Sequence, residues 1–309
     1  MSLAERKAAL IRMAARTIAI PLTDEPTGCT IWLKLEYLLP SGSTKDRVAA
    51  FILGHGVETG AITEDTIVVE ASSGSTSISL AMACAVIGVK FRAVMPENVS
   101  RERLLIIKRY GGEVVLTPKD AGIVGAIDET RRMGALDPHV FLPRQFENQL
   151  NARAHQRETG PELIQQIGTT IHGFVAGVGT GGTLMGIARA LKEAGHPTRF
   201  ARAVPEKGAA CFAGQPEVCG GIPGVIDGLS TILDAKEIDL EDIKIDERDA
   251  IAACRELCKR GMPVGPSSGL NLAAARVLAQ RLGPGKTVAT VLCDRMERYF
   301  SPDLFEDVC

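Results

Sequence analysis

Short β-branched runs alternate with helix-length segments along most of this chain, and no other feature limits its fold as strongly. Thr66-Ile67-Val68-Val69-Glu70 reads as a strand, Thr76 to Ile87 as a helix, and Lys90-Phe91-Arg92-Ala93-Val94-Met95 as the next strand, stopped by Pro96. A helix over Arg101–Tyr110, a strand at Gly112-Glu113-Val114-Val115-Leu116 and a helix over Asp120–Met133 continue the series. Upstream, Cys29 to Glu36 reads as a strand that leads to a helix over Asp46–Glu58. This rhythm marks β-α-β units, since parallel neighbours need a crossover long enough to hold a helix. The expected fold class is α/β, with mostly parallel twisted sheets flanked by helices.

Past Phe146 the rhythm breaks. Asn148–Arg157 and Pro161–Ile167 read as two successive helices, with Pro161 where a first helical turn tolerates it. A second series starts at His172-Gly173-Phe174-Val175-Ala176 and runs through helices near Thr183–Ala194, Glu247–Lys259 and Ser268–Arg281. It ends with a strand over Thr287–Leu292. A boundary is therefore expected near residue 148, and 309 residues suffice for two such domains.

Charge and cysteine usage narrow the function classes. A formal charge of -2 leaves no electrostatic footprint for nucleic acid or an anionic membrane, and no apolar run reaches bilayer-spanning length. The 8 cysteines are scattered. Cys254 and Cys258 share a helical face but have no second ligand pair nearby, so they read as small buried hydrophobes and no metal site is expected. Without a secretory signal, the reducing cytosol is the expected compartment.

Four turns carry the candidate chemistry. Ser41-Gly42-Ser43-Thr44-Lys45-Asp46-Arg47 places one lysine behind small hydroxyl residues at the mouth of a helix. Partial desolvation there would make its amine a usable nucleophile and base. Ser72-Ser73-Gly74-Ser75-Thr76 gathers hydroxyls and helix-start amides, a site suited to a carboxylate or phosphate or simply a well-capped helix. Gly177-Val178-Gly179-Thr180-Gly181-Gly182-Thr183 lets backbone approach an anion closely. That loop also satisfies G-x-G-x-x-G, so a nicotinamide dehydrogenase is an alternative, with Glu206 as the candidate ribose acid. The fourth turn is Gly265-Pro266-Ser267-Ser268-Gly269.

In order and spacing, these motifs resemble the cysteine synthase and cystathionine β-synthase family, which are fold-type II pyridoxal-phosphate enzymes. Lys34-Leu35-Glu36, Met95-Pro96-Glu97, Gln145-Phe146-Glu147-Asn148, Thr159-Gly160-Pro161-Glu162 and Cys293 to Tyr299 extend the resemblance over nearly the whole chain. The resemblance implies a tryptophan synthase β-like arrangement. A smaller mobile domain would span residues 36–148; residues 1–35 and 149–309 would form the larger one. It implies that Lys45 forms a Schiff base with pyridoxal 5'-phosphate, that Gly179, Thr180, Gly181, Gly182 and Thr183 hold the cofactor phosphate, and that Ser267 stands beside the ring nitrogen. Ser72, Ser73, Thr76 and Gln145 match positions that grip the substrate carboxylate. A homodimer is implied as well.

The chain departs from the family pattern at three places. Ser75 stands where most synthases have an asparagine that contacts the cofactor 3'-oxygen. Ser77 stands where glycine is common. Asp227 brings an acid to a loop near the substrate side chain. These changes leave the cofactor expectation intact and bear on the substrate. The activity implied is β-replacement on an activated serine or related β-substituted L-amino acid, through an enzyme-bound aminoacrylate. A cysteine desulfhydrase-type β-lyase releasing pyruvate and ammonia shares its early steps, and a non-catalytic metabolite-sensing homologue is the reading from another class.

Overall fold

The computed structural model describes residues 1–24, 26–72, 74–206, 222–225 and 228–300. Its chain groups into two compact units. The first holds Met1–Ala15, Leu39–Leu150 and the chain from Glu297, and the second holds Arg16–Leu38 and Asn151–Met296. The expected segment 1–35 is thus shared between them.

The first unit is built on a four-stranded sheet in the order β5-β4-β3-β6. Its strands are β3 (Ile67–Ala71), β4 (Lys90–Pro96), β5 (Glu113–Thr117) and β6 (Val140–Phe141), and every pairing is parallel. Helices α1 (Leu3–Met13), α2 (Lys45–Glu58), α3 (Ser75–Ile87), α4 (Arg101–Arg109) and α5 (Gly122–Leu136) supply the crossovers and the cover. Ser2 and Glu5 form a capping box that fixes the start of α1, and Leu10 of that helix enters the core beside Leu53, Ile78 and Ile87.

A six-stranded sheet in the order β1-β2-β10-β7-β8-β9 organises the second unit. It contains β1 (Ala19–Asp24), β2 (Cys29–Leu35), β7 (Gly173–Gly177), β8 (Arg199–Glu206), β9 (Leu240–Asp246) and β10 (Thr287–Leu292). Only β1 runs antiparallel to its neighbour. Side chains alternate across β2. Ile31, Leu33 and Leu35 join a core with α10 (Glu247–Lys259) and α11 (Pro266–Leu282), while Trp32 joins the opposite core with Phe174 and α8 (Gly182–Glu193). The expectation of α/β architecture with mostly parallel sheets holds in both units.

Where two helices were expected over residues 148–167, the backbone is continuous: α6 (Leu150–Ala154), a π-helical turn at His155–Thr159 and α7 (Gly160–Ile167). A further short helix is α9 (Ala235–Ile238). Among the described residues no helix is long and apolar enough to cross a membrane.

Candidate active site

In the first unit, the lysine turn is fixed by its own side chains. Gly42 lies at φ 83°, a left-handed conformation that favours glycine, and its N–H donates to Leu39 O at 2.7 Å. The Ser41 N–H donates to Asp46 Oδ2 at 2.7 Å, and the Ser41 hydroxyl donates to the other carboxylate oxygen. Lys45 is the first residue of α2 and half-buried, and its N–H donates to Ser43 Oγ at 3.4 Å. Burial pushes the Asp46 carboxyl above its ordinary range, while hydrogen bonds from Ser41 and Ser79 and the charge of Arg298 partly offset this. The lysine is therefore held on a rigid base.

Ser72, Thr76 and Gln145 come together in the same unit. Ser72 Oγ accepts from the Gly74 and Ser77 amides at 3.1 and 3.4 Å, so this hydroxyl caps α3. Thr76 Oγ1 donates to Gln145 Oε1 at 2.6 Å, and Gln145 Nε2 donates to Ala71 O at 2.8 Å. The turn thus has a closed polar rim at a helix start, where amide groups favour an anion. Ser75 is half-buried at the first position of α3, and Ser77 is fully buried. Ser73 and Asp227 lie outside the described residues.

Glu70 supports this rim, although sequence reasoning passed over it. Its carboxyl accepts from the Ala71 N–H at 3.0 Å and the Gln145 N–H at 3.1 Å. Burial pushes it from 4.5 up to about 8, its backbone hydrogen bonds oppose the rise, and Glu147 adds to it. Arg131, Arg144 and Glu147 line the small cavity beside it. A raised folded-state value means that the folded protein keeps this proton after the unfolded chain has lost it. The group therefore lowers stability progressively as pH rises from about 4.5 to about 8. Glu70→Gln removes the titration. Its stability relative to the parent is expected to rise with pH through that window, by up to about 1.4 kcal/mol per pH unit. Urea unfolding of both proteins across the window checks this; a pH-independent difference would contradict it.

The second unit carries the glycine loop. Gly181 stands at φ 79° as the N-cap of α8, and the Gly182 N–H approaches Thr180 Oγ1 at 3.4 Å. Asn151 Nδ2 donates to Thr180 Oγ1 at 2.9 Å, and Ser230 Oγ donates to Thr180 O. His155 contacts Thr183 Oγ1 through Nε2 at 3.2 Å and Thr159 Oγ1 through Nδ1 at 2.9 Å. Upstream, the Gly177 N–H donates to Asn271 Oδ1 at 2.6 Å. Two glycines of the loop have no room for a side chain: a methyl group on Gly179 would lie 2.4 Å from Gly224 O, and one on Gly182 would lie 1.9 Å from Asn151 Oδ1.

Asn151, His155 and Thr159 are fully buried and were missed as functional residues. Their spacing of four offers a signal, because it sets three polar groups on one helical face. Ser267 is buried in the first turn of α11 behind Gly265 and Pro266, and Ser268 Oγ accepts the Cys293 N–H at 2.9 Å. Gly269 lets α11 close on α10; a methyl group there would lie 2.1 Å from Ala250 O. Glu206 is exposed at the end of β8 and pairs with Lys244 at 3.2 Å. Both sulfur atoms of Cys254 and Cys258 turn toward Val264 O; Cys254 is buried and Cys258 half-buried.

A sequence model described as "Pyridoxal-phosphate dependent enzyme" matches residues 12–294. The chain belongs to this family. Among its relatives, cysteine synthase B of Campylobacter jejuni is 39% identical over 278 residues, which cover 90% of this chain and 92% of that one. An O-acetylserine dependent cystathionine β-synthase from Helicobacter pylori superposes with a TM-score of 0.87 at 34% identity, covering 96% of this chain and 98% of that one. A hydrogen sulfide-producing enzyme from Fusobacterium nucleatum does so with a TM-score of 0.84 at 30% identity, covering 94% and 98%. Within the family, the chain falls in the cysteine synthase and cystathionine β-synthase branch. The cofactor is pyridoxal 5'-phosphate, and the residues present fit it. A lysine stands at a helix head, and a loop whose Gly179 and Gly182 leave no room for a side chain ends at the N-terminus of α8, with the hydroxyls of Thr180 and Thr183 beside it.

Proposed function

We propose that this enzyme performs β-replacement on a small L-amino acid with a β-leaving group, of the activated-serine class, with sulfide or an amine as nucleophile. The observation that carries this reading is the rim formed by Ala71, Thr76 and Gln145 at the start of α3, in the same unit as Lys45. It is suited to an α-carboxylate. In this reading Lys45 holds the cofactor covalently, Gly179 to Thr183 hold its phosphate, Ser75 its 3'-oxygen edge and Ser267 its ring nitrogen. Bound there, the cofactor supplies an electron sink for the carbon that carries the substrate amine.

The protein's own groups have separable tasks. Ser72, Ser73, Thr76 and Gln145 fix the carboxylate and thereby orient the α C–H bond. The Lys45 amine, set free when the substrate's own amine takes its place, would take the α-proton and later return it, a general acid–base role. Between those transfers the β-carbon–oxygen bond breaks, the carboxylate or phosphate leaves with the electron pair, and the nucleophile adds at the same carbon. The Ser267 hydroxyl offers the ring nitrogen a neutral partner, which restrains charge build-up compared with a carboxylate there.

Likeness to the hydrogen sulfide-producing enzyme supports a second reading, β-elimination from cysteine. The two readings share every step up to nucleophile addition. Incubation with O-acetylserine or O-phosphoserine, with and without sulfide, is expected to give cysteine when sulfide is present. Pyruvate formed at a rate that no nucleophile diverts would replace β-replacement by the lyase reading. As the family resemblance implies, we take the working form to be a cytosolic homodimer, which sedimentation of the purified enzyme tests at the level of its oligomeric state.

A further inference from the structure

We propose that Arg298 is a positioning residue for Lys45, acting through the backbone of the turn that carries it. This deepens the reading above and rests on Lys45 being the cofactor lysine. Arg298 lies in the 3-10 turn Met296–Tyr299, more than 250 residues from Lys45 in sequence, yet in the same compact unit. Arg298 is 3% exposed. Nη1 donates to Gly42 O at 2.8 Å, and Nη2 donates to Ser41 O. From the other side of the same two residues, Asp46 accepts the Ser41 amide and hydroxyl, and the Gly42 N–H donates to Leu39 O. Every backbone polar group of Ser41 and Gly42 is thus held: the carbonyls by a buried cation, and the amides by a buried carboxylate and a carbonyl.

That bracket has a consequence for the lysine. Gly42 occupies a left-handed conformation in which rotation of one peptide would redirect the following residues. Arg298 blocks that rotation by fixing two consecutive carbonyls with one planar fork. A lysine at 298 can bind one carbonyl firmly but lacks the rigid pair of donors. Asp46 depends on the same cation, because the Arg298 charge offsets part of its desolvation. Loss of Arg298 therefore loosens the turn from both sides and lets the Lys45 stem wander.

The next residue supports the neighbouring turn. The Tyr299 ring lies 5.4 Å from the Arg103 guanidinium carbon, and Arg103 Nε packs against Gly74, 2.9 Å from where a methyl group would stand. Tyr299 thus stands behind the Ser72–Thr76 turn, as Arg298 stands behind the lysine turn. The division gives a test that separates positioning from general stability.

The experiment compares the parent with Arg298→Met, Arg298→Lys and Tyr299→Leu. Arg298→Met is expected to bind pyridoxal phosphate about tenfold more weakly. The pH at which the bound cofactor changes colour is expected to shift, and kcat to fall on the order of a hundredfold with KM little changed. Arg298→Lys is expected to recover a substantial part of each deficit. Tyr299→Leu is expected to raise KM while leaving the colour titration as in the parent. Thermal melts of the cofactor-free proteins show whether each variant folds; if Arg298→Met does not, Arg298→Lys alone must show the shifted colour titration. A parent-like titration and affinity in folded Arg298→Met would overturn the proposal, as would identical profiles for Arg298→Met and Tyr299→Leu. Should the parent itself take up no cofactor at Lys45, the underlying functional reading fails instead, which distinguishes the two failures.

Discussion

Lys45→Ala is expected to lower turnover on the order of a thousandfold or more, while the protein folds as before. The two halves of that expectation have different origins. Lys45 is the first residue of α2, half-buried, and its neighbours Asp46, Val48, Ala49 and Ile52 form the buried face of the helix. Alanine has the highest helix propensity, so the helix head loses nothing intrinsic. The lost function is chemical: no other amine is fixed by the Ser41–Asp46 bracket, and an alanine can neither hold an aldehyde nor move a proton. Circular dichroism and urea unfolding should match the parent, with single-turnover rates collapsed. Retained turnover would remove Lys45 from its proposed role.

Gly182→Ala should produce the second large effect, through the cofactor's anionic end. Its methyl group would sit 1.9 Å from Asn151 Oδ1 and 2.5 Å from that residue's Cγ, so the amide or the loop must move. Overpacking of this kind costs about 1–3 kcal/mol. Here the displaced amide also holds Thr180, a proposed phosphate ligand. Cofactor affinity is expected to fall by on the order of a hundredfold. Asn151→Ala removes the obstacle at the expense of the Thr180 hydrogen bond. In the Asn151→Ala background, Gly182→Ala should therefore cost less than it does alone, a coupling that a double-mutant cycle reads directly. Additive losses would show that the clash does not decide the loop's shape.

The parallel series was legible because buried strands write themselves as unbroken β-branched runs. Val68 and Val69 in β3 and Val288 and Val291 in β10 are fully buried and were read as strand residues. Edge strands obscure that signal. β9, Leu-Glu-Asp-Ile-Lys-Ile-Asp, mixes apolar with charged residues at the sheet edge, and Arg199–Glu241 and Arg202–Asp242 pairs join it to β8. β1 contains Pro21, which argues against a strand in sequence yet is tolerated at a sheet edge that pairs on one side only. The π-helical turn at His155–Thr159 had no local marker either; it accompanies the inward-facing His155 and Thr159.

The site divides in the same way. Lysine, glycine and hydroxyl clusters announce themselves within a few residues, since a turn that binds an anion is made of contiguous backbone. The groups that brace those turns come from elsewhere in the chain. Glu70 precedes its turn without looking special, and Arg298 reaches Gly42 from 256 residues away. Nothing in the local pattern around Glu70 sets it apart from an ordinary charged side chain, and the Cys293–Tyr299 motif, though recognisable, does not say which turn Arg298 reaches.

Reduction of the purified enzyme with sodium borohydride, followed by peptide mapping, reports on the cofactor lysine most directly. A phosphopyridoxyl group on the peptide containing Lys45, absent from the Lys45→Ala protein, is the result expected. A protein that binds pyridoxal phosphate yet carries the label on another lysine, or on none, would contradict it.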